Sequence, residues 1–544
     1  MPFPTSGISV TDATPATTLI HPRLNAPIDR PANSKPQILL GRCSATCRML
    51  GLVLLLLVML PVGVRAGDGD PGHRSDLDRE LIRTLTRYGF TGMAAQRLEA
   101  RLGRPINREL ADLGRLLFFD KIASLHDDNA CAGCHSPQNG FGDTQSIAIG
   151  VQSNEVVGRH RIGPRNQRRS PILVNDAFYP RLMWNGRFLS LTNDPFDNSQ
   201  GFQFPPPEGT TKFPPNDPLI RHLLQAQAHI PPTELTEVAG FTGTKGTGDP
   251  RFDQFDDGKG TPVPPPDGSG FRNEPIRQKV LERLNASPAY RALFGHLFPE
   301  VAAGGPITFA MFGQAIAEFQ FTLVFADAPL DQFARGHHNA MTERQKQGAL
   351  VFFGNGQCAQ CHAVGGAANE MFSDFKNHRL GVPQIAPAFG VGKGNVIFDG
   401  TNEDEDFGAE QISGAPEDRY LFRTSPLRNI ALQPAFFHNG AFTRLDDAIL
   451  HHLDVIASEH SYDAKRAGVA KDLRQRKGPL VSDSRDIDPL LQQPIRLEDD
   501  DFRALVDFVQ SGLLDQRARP EALCRLVPAH LPSGMSPLKF QGCQ

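Results

Sequence analysis

Two pentapeptides, CAGCH at residues 131–135 and CAQCH at residues 358–362, hold four of the chain's 8 cysteines, and each closes on a histidine. In C-x-x-C-H the two thiols stand about one helical turn apart on one side, where they can form thioethers with the two vinyl groups of a haem. The imidazole of the next residue then faces the iron as proximal ligand. Cys131, Cys134 and His135 make one such unit; Cys358, Cys361 and His362 make the other. Paired C-x-x-C units also bind zinc, which is the competing reading. A histidine directly after the second cysteine in both copies favours two covalently bound c-type haems over zinc.

A signal for export agrees with that chemistry. The run MLGLVLLLLVMLPVGVRA, Met49 to Ala66, follows Arg42 and Arg48 and ends in small residues, the three-part pattern of a secretory signal. A permanent membrane anchor is the alternative, because the run sits at the lower edge of spanning length. Residues 1–66 therefore read as a leader that removes Cys43 and Cys47, and the mature protein as periplasmic, in a space that permits disulfides. Cys524 and Cys543 then read as a disulfide closing a Pro-rich tail, residues 516–544. The net charge of -4 over 544 residues gives no broad basic field, so nucleic acid is not an expected partner.

The chain between leader and tail divides into similar halves, expected at 76–330 and 340–515. Ser75 is a candidate N-cap for a helix with Leu77, Leu81 and Leu85 at helical spacing. RELADLGRLLFFD leads into the first pentapeptide, and TERQKQGALVFF, with Thr342 and Gln345 as a capping box, leads into the second. The shared order of helix, G..LFF or G.LVFF, short loop and C-x-x-C-H points to an internal duplication. ITFAMFGQAIAEFQFTLVF is apolar around most of its circumference and reads as a buried helix; EDDDFRALVDFVQSGLL reads as the last helix, with Phe502, Leu505, Val506 and Val509 inward. The Gly/Pro-rich stretches around residues 193–217 and 240–270 read as long surface loops, and His337 and His338 as a solvated linker pair. The fold class expected is mainly α, with two cytochrome c-like haem domains.

These segments, with GPRNQRRSPILVNDAFYPRLMWNGR, LNASPAYRALFGHLFP, FGQAIAEFQFTL and FRTSPLRNIALQPAFFHNGAFTRLDDAI, resemble the bacterial di-haem cytochrome c peroxidases and their MauG-like branch from about Leu110 to Leu513. The resemblance implies that the first haem binds peroxide and the second passes electrons in. It places Trp184 between the haems. The family's distal acid falls best on Glu237 of PPTELTEVAGF, with Glu208 of FPPPEG as rival. A distal carboxylate would move a proton from the inner to the outer peroxide oxygen. The family's resting distal histidine is replaced by Val151 in SIAIGVQ, so the first iron is expected open, with His160 the nearby histidine that could cap it. The second iron's distal ligand falls on His452, with His451 facing solvent. Some members hold a calcium ion, and the matching positions are Asn166, Gln433 and Ala435.

Three functions follow from the resemblance. The first is reduction of hydrogen peroxide to water, with electrons from a small periplasmic cytochrome c or cupredoxin. The second is MauG-like oxidation of a protein substrate through a high-valent di-haem intermediate. The third is a non-enzymatic di-haem electron carrier, which would need neither a distal acid nor an open iron. Peroxidase activity is the favoured expectation, and a homodimer is compatible with it.

Overall fold

The computed structural model describes residues 75–246, 250–387, 405–474, 476–478 and 486–543. The leader and its signal lie outside them. Helices dominate, and the strands are two or three residues long, paired in four small sheets. Short strands between long irregular connections are what a chain with 51 glycines and 45 prolines allows, since both residues interrupt regular ladders.

Helix starts follow the sequence. The Ser75 side chain accepts from the Asp78 N–H and begins the helix Asp76–Arg87, which buries Leu81 and Leu85. Thr342 and Gln345 close the expected capping box at the helix Glu343–Phe353. The duplicated glycine and phenylalanines mark one packing unit built twice. In the first half Gly114 lets the helix Arg108–Phe119 press on Phe309–Phe321, where an added Cβ would stand 1.8 Å from the Ala315 carbonyl oxygen. In the second, Gly348 lets Glu343–Phe353 press on Asp499–Asp507, where an added Cβ would stand 1.9 Å from the Ala504 carbonyl oxygen. Any side chain there would drive the helices apart. Across each crossing a phenylalanine pair meets, Phe118 with Phe319 at 5.3 Å and Phe352 with Phe508 at 5.5 Å between ring centroids.

Several expectations change. The last helix turns into a π-helical turn at Phe508–Gly512, so Ala504, Leu505, Phe508 and Val509 face inward, while Phe502 and Val506 are only half-buried. The Gly/Pro-rich stretches are not merely surface loops. Phe202, Phe204 and Phe213 of the first, and Phe241, Phe255 and Val263 of the second, are buried, because they pack against residues of neighbouring segments such as Phe321 and Val151. The tail is closed by the Cys524–Cys543 disulfide, as expected. Its strand Lys539–Phe540 pairs in parallel with Val156–Val157, and Phe540 packs on Phe119 in the first half's core.

Candidate active site

Each phenylalanine pair backs a C-x-x-C-H unit. Cys131–Cys134 forms a single helical turn, and His135 lies 6.4 Å from Phe118 between ring centroids; His362 lies 6.5 Å from Phe352. Both histidines are oriented alike. His135 donates from Nδ1 to the Phe141 carbonyl at 3.0 Å, and His362 from Nδ1 to the Phe372 carbonyl at 2.9 Å. That commitment leaves Nε2 of each ring as the nitrogen available to a metal. Burial holds both imidazoles neutral, His362 at about 4. It also pushes all four thiols up to about 12. Zinc would want thiolates in fours or with added imidazoles. Among the described residues no group of three or more His, Cys, Asp or Glu side chains is placed to hold a metal ion, and the four cysteines are free. The donor sets fit haem attachment and do not fit zinc.

The first unit opens on a cavity of about 830 Å³. Glu237 lines it together with Cys131, Cys134, His135 and Trp184. Glu237 sits in a π-helical turn, Leu235–Ala239, locked to the first unit by the Asn129 amide, which donates to the Glu237 carbonyl at 2.6 Å. Its carboxyl is exposed to the cavity but enclosed by protein. Burial first, then the neighbouring Glu234, push it up to about 7, with Arg187 opposing. Glu208 is placed elsewhere. It is 4% exposed and forms a two-pronged ion pair with Arg277 at 2.8 and 3.1 Å. It is absent from the cavity lining, because its oxygens are spent on holding the helix Asn273–Ala286. Val151 turns away from the cavity to pack with Phe241 and Phe255. His160 lies on the surface, bonded through Nδ1 to the Gln541 amide at 2.8 Å, and so is not a cap. Among the described residues His135 is the only histidine on the first cavity.

The second unit opens on a narrower space of about 160 Å³, lined mostly by apolar side chains. His452 faces His362 across it, with ring centroids 6.1 Å apart. Two imidazoles at that spacing leave room for one metal ion with bonds of about 2 Å to each. His452 donates from Nδ1 to the Ala448 carbonyl at 2.8 Å and stacks on Phe437, so its Nε2 is the free nitrogen. His451 does not face solvent. It is 0% exposed and bridges Ser458 and the Leu380 carbonyl, because it lies on the inward side of the helix Leu445–Leu453.

Trp184 lines both cavities, as do Arg169 and Arg423. Its indole N–H donates to the Arg169 carbonyl at 2.8 Å, and its own carbonyl accepts from the Arg423 N–H at 2.6 Å. Gln433 and Ala435, two of the positions matched to a calcium ion, lie beside Arg169. Arg169 donates from Nη1 to the Ala435 carbonyl and from Nη2 to the Gln433 side-chain oxygen, so a guanidinium stands where the ion's ligands were expected. A divalent cation beside it would meet like charge. Asn166 lines the first cavity alone of that set. Sequence reasoning missed Arg169, Arg423 and Asp176. Asp176 is a carboxyl on the first cavity, held well above the ordinary range by burial and hydrogen-bonded by Gln320 at 2.9 Å. Arg169 closes the run QRR directly before SPILVNDAF, where the sequence offers no sign of its place between the two cavities.

The sequence model of the family described as di-haem cytochrome c peroxidase matches residues 108–339. The methylamine utilization protein MauG of Methylophilus methylotrophus is 24% identical over 380 residues, which cover 70% of this chain and 80% of that protein. Cytochrome-c peroxidase IdrP2 of Denitromonas iodatirespirans is 27% identical over 361 residues, covering 64% and 74%. The cytochrome c551 peroxidase of Pseudomonas aeruginosa is 25% identical over 353 residues, covering 64% and 72%. Residues 108–339 are thus similar to the di-haem cytochrome c peroxidase family, and the relatives so named resemble the chain over about two thirds of its length.

Proposed function

We propose that the protein is a di-haem c-type peroxidase that reduces hydrogen peroxide to water with electrons from a small periplasmic cytochrome c or cupredoxin. The observation that carries this reading is Glu237, a carboxyl with acidity near neutral on the cavity that, among the described residues, holds His135 and no second histidine. Cys131, Cys134 and His135 would hold one haem; Cys358, Cys361, His362 and His452 would hold the other. When bound, the haems supply peroxide activation at the first site and electron transfer at the second.

The chain's own residues do the rest. Glu237, as carboxylate, accepts the proton of the inner peroxide oxygen and returns it to the outer one, which lets the O–O bond break unevenly. A group with acidity near 7 can do both at neutral pH. His452 and the apolar walls of the second cavity confine peroxide to the first. Trp184, walled by both cavities, is the side chain through which the two sites share charge. Domains at 76–330 and 340–515, with the tail 516–544 braced on the first, accommodate one unit each. The protein works as an exported, periplasmic enzyme; among the described residues no helix is long and apolar enough to cross a membrane.

MauG-like oxidation of a protein substrate is the second reading, favoured by the lack of a histidine opposite His135. The test is made on protein exported with haem maturation. It should carry two haems per chain that resist acid-acetone extraction, and should consume hydrogen peroxide with a reduced small cytochrome as donor. Two haems with no peroxide consumption, in either oxidised or half-reduced protein, would leave only the electron carrier.

A further inference from the structure

Several buried or nearly buried arginines of this protein are paired with acids. Arg428 grips Asp331 at 2.7 and 2.8 Å, Arg277 grips Glu208, Arg168 grips Asp406 at 2.6 Å and Arg165 grips Asp472. Arg161 lacks an acid, but carbonyls of Ile149, Gly150 and Val156 and the Asn129 side chain accept from each of its nitrogens, and it is not part of either cavity wall. Arg169 fits neither pattern. It is 3% exposed, has no carboxylate in salt-bridge contact among the described residues, and keeps a buried Nε with no partner. Its other two nitrogens are spent on Ala435 and Gln433, which fix the guanidinium in place.

An unpaired buried charge costs several kcal/mol, so a position like this one calls for a counter-ion. The surroundings add positive charge. Arg423, also on both cavities, bonds only to the Met183 and Thr424 carbonyls, at 2.9 and 3.1 Å. The acid whose charge reaches Arg169, Asp143, stands outside salt-bridge contact, and Asp176, a carboxyl on the first cavity, is raised well above the ordinary range by burial. On the second cavity His438 lies against Arg169, accepting its backbone N–H at 2.9 Å, and both its ring nitrogens are buried without partners. The wall between the cavities thus carries two guanidiniums and, at Arg169, a buried donor with no partner.

We propose that Arg169 is a shared carboxylate-binding residue of the two cavities, which takes the propionate side chains of the haems and biases both irons toward the reduced state with one charge. The inference rests on the di-haem reading. A guanidinium is the group suited to this, since its planar fork matches carboxylates and keeps its charge when buried. It is a positioning residue, because it acts on the irons through the propionates and through the field, not by touching peroxide.

The experiment uses the haem-loaded full chain as wild type, Arg169→Met and Arg169→Lys, with spectroelectrochemical titration of both centres. Arg169→Met should lower both midpoint potentials together, whereas Arg169→Lys, which keeps the charge, should hold both close to wild type. Loss of packing alone would lower melting temperature in both variants and move neither potential in concert. If Arg169→Met fails to load two haems, resonance Raman on Arg169→Lys gives the second readout: the propionate bending modes should shift at both haems. Potentials or bending modes that change at one haem only, or at neither, overturn the shared role. A wild type carrying fewer than two haems overturns the di-haem reading and this inference with it, a result distinct from two intact haems that ignore Arg169.

Discussion

Replacing Glu237 by glutamine removes one proton-exchanging group while keeping the size of the side chain, and two opposite effects should follow. The carboxyl stands at about 7 instead of the ordinary 4.5, through burial and the charge of Glu234. A displacement of that size corresponds to about 3 kcal/mol at about 1.36 kcal/mol per pH unit. The sign is unfavourable to the fold at neutral pH. A carboxyl whose folded value is raised contributes its stability fully below about 4.5 and loses it as pH rises through about 7. Glu237→Gln should therefore be more stable than wild type at pH 8, by up to about 3 kcal/mol, and gain nothing at pH 4. The reaction should suffer instead. Stopped-flow mixing with hydrogen peroxide should show a rate lower by about 100-fold or more, the usual size of a general acid–base contribution. In the wild type that rate should climb about tenfold between pH 6 and 8 as the carboxylate forms, and the variant should be flat. A variant with wild-type rate and wild-type pH profile would refute the role of Glu237.

Three further outcomes separate the other residues. His452→Met should raise the potential of the second haem alone, since replacing an imidazole by a thioether favours the ferrous state; potentiometric titration of both centres reads this. Glu208→Gln should leave the peroxide rate unchanged yet lower unfolding stability by about 1.5–3 kcal/mol in denaturant titration, because it takes the buried carboxylate from Arg277, which keeps only the half-exposed Glu274 as an acid partner. Trp184→Phe should leave the first site reactive to peroxide and slow the passage of electrons between the sites, seen as delayed oxidation of the second haem after mixing.

The parts of this protein legible in its sequence are those where chemistry is written in contiguous residues. The two pentapeptides show themselves by spacing, and G..LFF and G.LVFF announce a repeated packing unit whose glycines turn out to sit at the helix crossings. Glu237 and His452 could be placed by resemblance, and the geometry brings each to the expected cavity. What escaped reading is tertiary. Arg169 and Arg423 meet at Trp184 from distant parts of the chain, and nothing local in either segment signals the other. Glu208 looked catalytic because it lies near Trp184 in sequence, but Arg277 claims it. His451 and His452 are adjacent letters with opposite fates, decided by the phase of one helix. Phenylalanines such as Phe213 and Phe241 lie in Gly/Pro-rich stretches, where composition hides a buried ring.

Among the described residues His135 stands alone as the histidine on the first cavity, whereas His362 faces His452 on the second, so one site is open and one closed in a single chain. Low-temperature electron paramagnetic resonance of the oxidised, haem-loaded protein tests it most directly. One high-spin and one low-spin ferric haem are expected in equal amounts. Two low-spin haems would contradict it, and would put a second protein ligand, such as the cavity-lining Met183, on the first iron.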